Sequence, residues 1–290
     1  MITCTGEVNN RPLGPDVREL ALSMMLTRTS ATLLIFIFVG LTPIHGQEQP
    51  ASNNTPAPIA TDRPAVTNSS IVVPGGSLQA ENGFLVTNNQ GQNIADGSET
   101  LVRFGILART ELRFTAPDYY HNLNGSGIGT GFGDLALGVK EQLGPLPGKF
   151  DVSATAFVSF PTGASGVSSG GYDPGLQIAW SRPLFPKWTA AGMFSLYGPT
   201  QNHSHNLTGE STILLDRQLT APWDAFVEYV GDFPERGGTR QFLQFGTALK
   251  LGKRQQQQLD FHVGVGLTSA AVNHFIGVGY SFRFQAFHRE

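Results

Sequence analysis

The chain has 290 residues, with 35 glycines and 20 phenylalanines against 4 methionines and 14% charged residues. This composition favours glycine-rich, aromatic-rich β-structure over a helical enzyme. The formal net charge is −3, so there is no basic excess of the kind that accompanies nucleic-acid binding, and we expect no nucleic-acid partner. Cys4 is the single cysteine, which excludes a disulfide within the chain.

The first predicted element is a secretory signal peptide. Residues 31–41 (ATLLIFIFVGL) are apolar but too few to span a bilayer as a helix, which takes about 20 residues. Arg28 precedes this run and Gly46 closes the polar stretch after it, so the pattern predicts a signal region over residues 1–46 and export through the inner membrane. The polar residues before Met24 have no role in such a signal, and we hypothesise that translation starts at Met24 or Met25.

Residues 47–76 are rich in Pro, Asn, Ser and Thr, and the composition predicts a flexible periplasmic lead segment. From Ser77 to Phe284 the pattern changes to an alternation of apolar with small or polar residues, which is the period of a β-strand with two different faces. In residues 259–267, for example, Leu, Phe and Val alternate with Asp, His and Gly.

About twelve such segments occur between residues 77 and 284. Short turns alternate with longer Gly/Ser/Asn-rich loops, the latter predicted at residues 88–97, 118–131, 163–171, 199–209 and 232–239. This is the pattern of periplasmic turns and extracellular loops in outer-membrane barrels, and an even strand number suits closure. The fold class predicted for residues 77–284 is therefore all-β, an antiparallel transmembrane β-barrel of about 12 strands.

The final segment, residues 274–284, places Ile, Val, Tyr and Phe on one face and Gly, Ser and Arg283 on the other. An aromatic-ended last strand is typical of outer-membrane barrels and is the expected contact for the barrel-assembly machinery. Residues 285–290 follow it as a C-terminal tail.

Charged residues recur on the faces predicted to point inward. At mid-depth on the lipid face each Arg or Lys would cost about 2–4 kcal/mol, whereas in a wet lumen they can pair at little cost. They form either a charge-lined pore that sets selectivity or a network of ion pairs that plugs a narrow barrel. The candidate lumen-lining charges are Glu81, Arg103, Glu111, Arg113, Asp134, Lys140, Glu228, Asp260 and Arg283.

Two other motifs resemble functional sites but lack a feature that such sites require. Residues 166–170 (GVSSG) match the nucleophile-elbow pattern, but no helix follows them as that motif requires. His203 and His205 stand in a predicted loop with no third metal ligand nearby. We predict no catalytic residue, no cofactor and no metal site.

Several short motifs, taken in order, resemble the outer-membrane transporter family named for the MetA pathway of phenol degradation. They begin with TDRP at residues 61–64 and end with GVGYSFRF at residues 277–284. Between them lie LVRFG (101–105), GFGDL (131–135), FVEY (226–229) and GVGLT (264–268). The resemblance covers residues 60–284 and implies an outer-membrane channel or transporter, without naming its cargo.

Three functions remain open at this point. The first is a channel of the bacterial outer membrane for passive uptake of small molecules, with hydrophobic or aromatic ones as candidates; its partners would be membrane lipid and the cargo. The second is a non-conducting structural barrel whose lumen is plugged by ion pairs. The third, an outer-membrane barrel enzyme, needs a serine partner for His262 or His274, and none is assigned. Of these we predict the channel, and not an enzyme.

Overall fold

The computed structural model describes residues 57–124 and 129–287. These residues form a closed barrel of twelve antiparallel strands, which confirms the predicted fold class. No helix among them is long and apolar enough to cross a membrane. The predicted signal region and start site lie outside the described residues.

The described residues form sixteen β-segments, several of them short, and fourteen of these make up the wall. The third and fourth wall strands are each interrupted, as β3 with β4 and β5 with β6, and the small hairpin β10–β11 lies outside the main sheet. The segments are β1 (Ser77–Asn89), β2 (Gln92–Gly105), β3 (Thr110–Thr115), β4 (Tyr119–Asn122), β5 (Gly131–Phe132), β6 (Leu135–Gln142), β7 (Asp151–Phe160), β8 (Asp173–Phe185), β9 (Trp188–Tyr197), β10 (Thr200–Gln201), β11 (Ser204–His205), β12 (Thr208–Gln218), β13 (Trp223–Pro234), β14 (Arg240–Leu251), β15 (Gln257–Gly266) and β16 (His274–Gln285).

The barrel closes where its first and last strands meet. β1 pairs with β2 on one side and with β16 on the other, in a register that sets Ser77 opposite Gln285. A closed barrel leaves no unpaired edge for lipid to cover. We call the β1–β16 pairing the closing seam.

The two ends of the barrel differ in their connections. One end carries short turns, such as residues 186–187 and 252–256, together with both chain termini of the barrel; the other carries most of the longer connections. The loop predicted at residues 88–97 is wrong, because β1 and β2 continue as a hairpin with only Gln90 and Gly91 between them. Both turn residues have positive φ (49° and 83°), as a two-residue hairpin turn demands. The polar composition of this stretch concealed the strands.

The outer face of the barrel is apolar and the inner face polar. In β16, Ile276, Val278 and Tyr280 are exposed on the outside, whereas Ser281 and Arg283 are buried inside, which confirms the alternation predicted for this strand. The same pattern runs along β15, where Phe261 and Val263 are exposed. In water such a continuous apolar surface is unfavourable, so its natural solvent is lipid.

This surface leads to a first prediction. Val263 lies on the outer face near the middle of β15. Replacing it with arginine is expected to destabilise the folded barrel in lipid vesicles by about 2–4 kcal/mol, because the charge would lie in hydrocarbon. Urea titration of folding into vesicles measures the change, and Val263→Leu is the matched control. An unchanged urea midpoint for Val263→Arg would contradict a lipid-facing surface.

The segment before β1 differs from expectation. Residues 47–76 are predicted to be flexible and periplasmic, but the described part, residues 57–76, is packed inside the barrel. Ile59 and Val73 are almost completely buried, as are the polar side chains of Asp62 and Thr67. The segment binds inward-facing polar groups that would otherwise lack partners, and these contacts hold it in place. We call residues 57–76 the lumen segment.

The described part of the tail also has partners. Gln285 belongs to β16 instead of the predicted tail, and the main-chain N–H groups of Ala286 and Phe287 both donate to the carbonyl of Gly76 (2.8 and 3.0 Å). The Phe287 ring packs edge-on against Phe104 at 5.9 Å between centroids.

Candidate functional site

The lumen segment enters and leaves the barrel at the same end. Near its start, the N–H of Ile59 donates to the carbonyl of Gln255, in the short turn before β15 (2.8 Å). Near its finish, the N–H of Gly76 donates to the carbonyl of Gly105, at the end of β2 (2.7 Å). The segment is therefore a loop tucked into the lumen from the end that carries the short turns, and it does not thread through the barrel.

Inside, the segment touches wall strands on opposite sides. Its hydrogen bonds and ion pairs reach inward-facing residues of β1, β2, β3, β6, β8, β12, β13, β15 and β16. Twenty residues can contact so much of a closed wall only from its interior. The lumen segment therefore lies across the bore of the barrel.

The densest contact is centred on Asp62. Its carboxylate lies 3.3 Å from Nη1 of Arg103, 2.5 Å from Nη2 of Arg113 and 3.6 Å from Nζ of Lys140. It also accepts a hydrogen bond from the N–H of Ser69 (2.9 Å), which folds the lumen segment back on itself. One carboxylate of the segment thus neutralises part of the charge of three cationic wall residues.

Arg103 lies at the centre of the wall side of this cluster and is completely buried. It forms a two-pronged ion pair with Glu111 (Nε–Oε1 2.8 Å and Nη2–Oε2 2.9 Å) and a further one with Glu81 (3.0 Å). It also donates to the carbonyls of Ala60 and Ile71, both at 3.1 Å. Two-pronged pairs of this kind are strong and geometrically specific, so Arg103 fixes two separate points of the lumen segment.

The cluster balances electrically only when the segment is present. Its formal charge is zero with Asp62 and +1 without it. It comprises three cations, Arg103, Arg113 and Lys140, and three carboxylates, Asp62, Glu81 and Glu111. Because an unpaired charge inside a protein is expensive, the wall and the lumen segment stabilise each other.

The next residue, Arg63, fits into a notch at the closing seam. Gly83 and Gly279 are register partners across β1 and β16, and the Arg63 side chain lies where their β-carbons would be. The guanidinium forms ion pairs with Glu99 and, at 3.5 Å, with Asp260. It also donates to the carbonyl of Val278 (3.2 Å). Glycine is needed at both wall positions because any side chain would displace the arginine.

The notch gives a second prediction. A β-carbon at Gly279 would lie 2.5 Å from Nε of Arg63 and 2.6 Å from Oδ1 of Asp260, so Gly279→Ala is expected to expel Arg63 and loosen the lumen segment. Cleavage of the folded protein by thermolysin within residues 57–76 should then accelerate. Gly209→Ala is the matched control, since a β-carbon there meets nothing within 4 Å. Equal cleavage rates for Gly279→Ala and the control would contradict the notch.

On the far side of the bore, Glu228 holds the middle of the segment. Its carboxylate accepts hydrogen bonds from the N–H groups of Val66 (2.9 Å) and Thr67 (2.7 Å) and from the Thr67 hydroxyl (2.5 Å). Gln244 donates to it as well. Glu228 is completely buried, and its partners are neutral donors. Neighbouring bonds join Asn68 to Gln177 and Ser70 to Ser181.

The remaining predicted lumen charges divide into two groups. Asp260 and Arg283 face inward and contact the lumen segment, the former through Arg63 and the latter through the carbonyl of Ala57. Asp134 is elsewhere: it accepts from the N–H of Gly163 (2.8 Å) and from the hydroxyl of Ser168 (3.0 Å), so it anchors the loop after β7. Asp134 is therefore not part of the ion-pair cluster around Arg103.

A cavity of about 420 Å³ lies beside the lumen segment. Residues 59–65 and 67–71 form one wall and strands β7 to β9 and β12 to β15 contribute the rest. Its lining combines apolar side chains, such as Leu214 and Phe226, with Asp216 and with the ion pair between Lys250 and Asp224 (2.5 Å). The bore is therefore filled on the side of the closing seam and partly open on the opposite side.

The sequence analysis did not identify Asp62 and Arg63, the residues that the lumen segment contributes to the site. Asp62 and Arg63 lie in the TDRP motif, which served only to mark a family resemblance. The available signal was an acidic and a basic residue side by side in an otherwise uncharged stretch, residues 49–80. Inward-facing amides of Gln79, Gln244 and Gln258 also gave no sequence signal, although all three are buried and hydrogen-bonded.

The candidate catalytic histidine on β15 has other partners. His262 is hydrogen-bonded through Nδ1 to Gln244 (3.1 Å) and packs against the ring of Phe275. Within residues 57–124 and 129–287, no group of three or more His, Cys, Asp or Glu side chains is arranged to hold a metal ion.

Comparison with known proteins identifies the family. The family described as "Putative MetA-pathway of phenol degradation" matches residues 61–284, most of the chain, from the TDRP motif to the end of β16. The chain belongs to this family. The resemblance inferred from the short motifs is thereby confirmed. No curated protein matches the sequence.

Solved structures share the fold, and two of them illustrate the likeness. An outer membrane channel from Pseudomonas putida F1 is 12% identical, with a TM-score of 0.58 over 74% of this chain and 98% of that one. The NanC porin is 8% identical, with a TM-score of 0.50 over 71% of this chain and 98% of that one. At these identities the likeness concerns the fold alone, which is that of outer-membrane porins.

Proposed function

We propose that the protein is an outer-membrane channel through which small molecules pass passively. The observation that carries the proposal is the bore itself: a polar lumen inside an apolar outer surface, occupied by a loop that enters and leaves at one end. Such a loop can withdraw without breaking any strand pairing of the wall. Membership of the family and the porin fold support the same function.

The lining of the cavity supports a cargo that is partly apolar. Ile59, Ile71, Leu214 and Phe226 provide the apolar part, and the Lys250–Asp224 pair the polar part. A small aromatic molecule with a polar substituent offers both kinds of surface, and the family description, which names phenol degradation, agrees with this class. We therefore propose small hydroxylated aromatics as cargo.

Recording in planar bilayers tests the channel. Purified protein refolded from residues 47–290 is expected to give discrete current steps, and a boiled sample is the control. A properly folded barrel that never conducts would support the second candidate, a structural barrel. One observation favours that candidate: the ion pairs between Asp62 and the cationic wall residues neutralise the cluster and keep the seam side of the bore filled.

Swelling of proteoliposomes tests the cargo. The anions of sodium 4-hydroxybenzoate and sodium threonate are monovalent and of similar size but differ in aromatic surface. We expect faster swelling with the aromatic anion than with threonate. Equal rates would overturn the proposed cargo and leave the channel itself intact.

We also propose where the protein is located and how the barrel is assembled. We propose that residues 1–46 direct export and are removed, and that the barrel then inserts into the outer membrane. β16 would be the strand read by the barrel-assembly machinery, with Phe284 exposed on its outer face. Replacing Phe284 by serine should slow insertion in cells, as measured by the heat-modifiable fraction in outer membranes.

A further inference from the structure

The two parts of the lumen segment are held in different ways. Residues 57–63 are fixed to the closing seam and its neighbours by charged groups: Arg283 binds the carbonyl of Ala57, Asp62 lies within the ion-pair cluster, and Arg63 fills the glycine notch. Glu81 adds two bonds, accepting from the N–H groups of Asp62 (2.8 Å) and Arg63 (3.1 Å).

Residues 64–70 cross to the opposite wall, where their bonds to β8, β12 and β13 come from uncharged donors. Ile71 is back on the seam side, where its carbonyl accepts from Arg103. Thr67 meets Thr212 (2.5 Å), Asn68 meets Gln177 (2.9 Å) and Ser70 meets Ser181 (2.7 Å). Glu228 is the charged partner on this wall, and it is bound by N–H and O–H groups that water could replace if the chain moved away. Within the segment, the N–H of Ser69 donates to Asp62, and this bond would also have to break.

The cavity adjoins this second part. Pro64, Ala65, Asn68 and Ser70 line it, together with Ser181 and Leu214 from the opposite wall. Moving residues 64–70 away from that wall would therefore widen a space that already exists. The first part would not need to move, because its anchors are on the other side of the bore.

We propose that residues 64–70 form the gate of the channel. In the closed state they are latched to β8 by Gln177 and Ser181, to β12 by Thr212 and to β13 by Glu228. In the open state they leave this wall while residues 57–63 remain at the closing seam. This inference rests on the proposed channel function and assigns its regulation to one short stretch of chain.

A disulfide lock tests the gate. The hydroxyl oxygens of Ser70 and Ser181 are 2.7 Å apart, which places two cysteines at these positions within reach of a disulfide bond. Cys4, the single native cysteine, lies outside residues 47–290, so Ser70→Cys with Ser181→Cys would create the one possible pair. Currents are recorded in planar bilayers with oxidised and then reduced protein; wild type and Ser70→Cys alone control for the oxidant.

The gate predicts that oxidation abolishes the openings of the double variant and that dithiothreitol restores them, while neither reagent alters the two controls. If wild type conducts and the oxidised double variant conducts equally well, the gate is overturned and the channel stands. If wild type and every variant are silent although folded, the channel function itself fails, and the gate with it.

A second variant acts in the opposite direction. Glu228→Gln replaces an oxygen that accepts bonds from the segment with an NH₂ group that cannot accept them. The open probability is expected to rise about tenfold or more, the shift produced by losing one hydrogen bond to a charged group. An open probability equal to that of wild type would contradict the assignment of Glu228 as the latch.

Discussion

Replacing Arg103 with alanine is expected to destabilise the barrel by about 3–5 kcal/mol, the cost of leaving buried charges without their partner. The variant would remove the guanidinium that Glu81 and Glu111, both completely buried, share, and would weaken the hold on Asp62. It would also remove the bonds to the carbonyls of Ala60 and Ile71. Urea unfolding in detergent micelles, followed by tryptophan fluorescence and by heat-dependent gel mobility, measures the loss.

Arg254 provides the matched control for this variant. It is exposed in the turn between β14 and β15, so Arg254→Ala removes the same side chain without burying a charge. Its unfolding midpoint should equal that of wild type. Should Arg103→Ala also retain the wild-type midpoint, the ion-pair cluster would not stabilise the barrel, and buried charges would not hold the lumen segment in place.

Removing the lumen segment as far as Pro74, so that the chain begins at Gly75, is expected to raise single-channel conductance several-fold and to lower the stability of the barrel. The conductance rises because the seam side of the bore becomes free for water. The stability falls because the ion-pair cluster loses Asp62 and its formal charge becomes +1. Planar-bilayer recording and urea unfolding measure the two effects. A truncated barrel that is folded but conducts no better than wild type would contradict the placement of residues 57–76 across the bore.

The charge argument can be separated from the loss of packing through Lys140. In the full chain, Lys140→Met removes the cation 3.6 Å from Asp62 and should lower stability. In the truncated chain the same substitution restores formal neutrality and should raise stability. Because only electrostatics predicts this reversal of sign, an equal effect in both backgrounds would show that packing, and not charge, determines the contribution of the segment.

The wall of the barrel was predictable because its information is local. Along β15 and β16 each side chain faces either lipid or lumen, and the two environments demand different residues, so the alternation appears directly in the sequence. The inward position of Arg103, Glu111 and Lys140 followed from the same alternation. The hairpin at Gln90 and Gly91 was missed because the strands there are polar on both faces. Apolar and polar residues therefore do not alternate as they do where one face of a strand contacts lipid.

The partners of those inward charges were not predictable in the same way. Asp62 meets Lys140 although 77 intervening residues separate them, and 196 residues lie between Arg63 and Asp260. No periodicity connects such pairs. Asp134 shows the converse: it was grouped with the lumen charges, yet its carboxylate binds the loop after β7, a contact that depends on where that loop folds.

The sequence by itself determined that this chain is a twelve-strand barrel of the outer-membrane type, with charges on its inner face, because burial against lipid acts on every second residue of each strand. Only the tertiary structure decided that residues 57–76 lie within that barrel and how they are held. Their composition is that of a flexible linker. They are ordered by Arg103, Glu81 and Glu228, whose buried charges need partners and find them in the lumen segment.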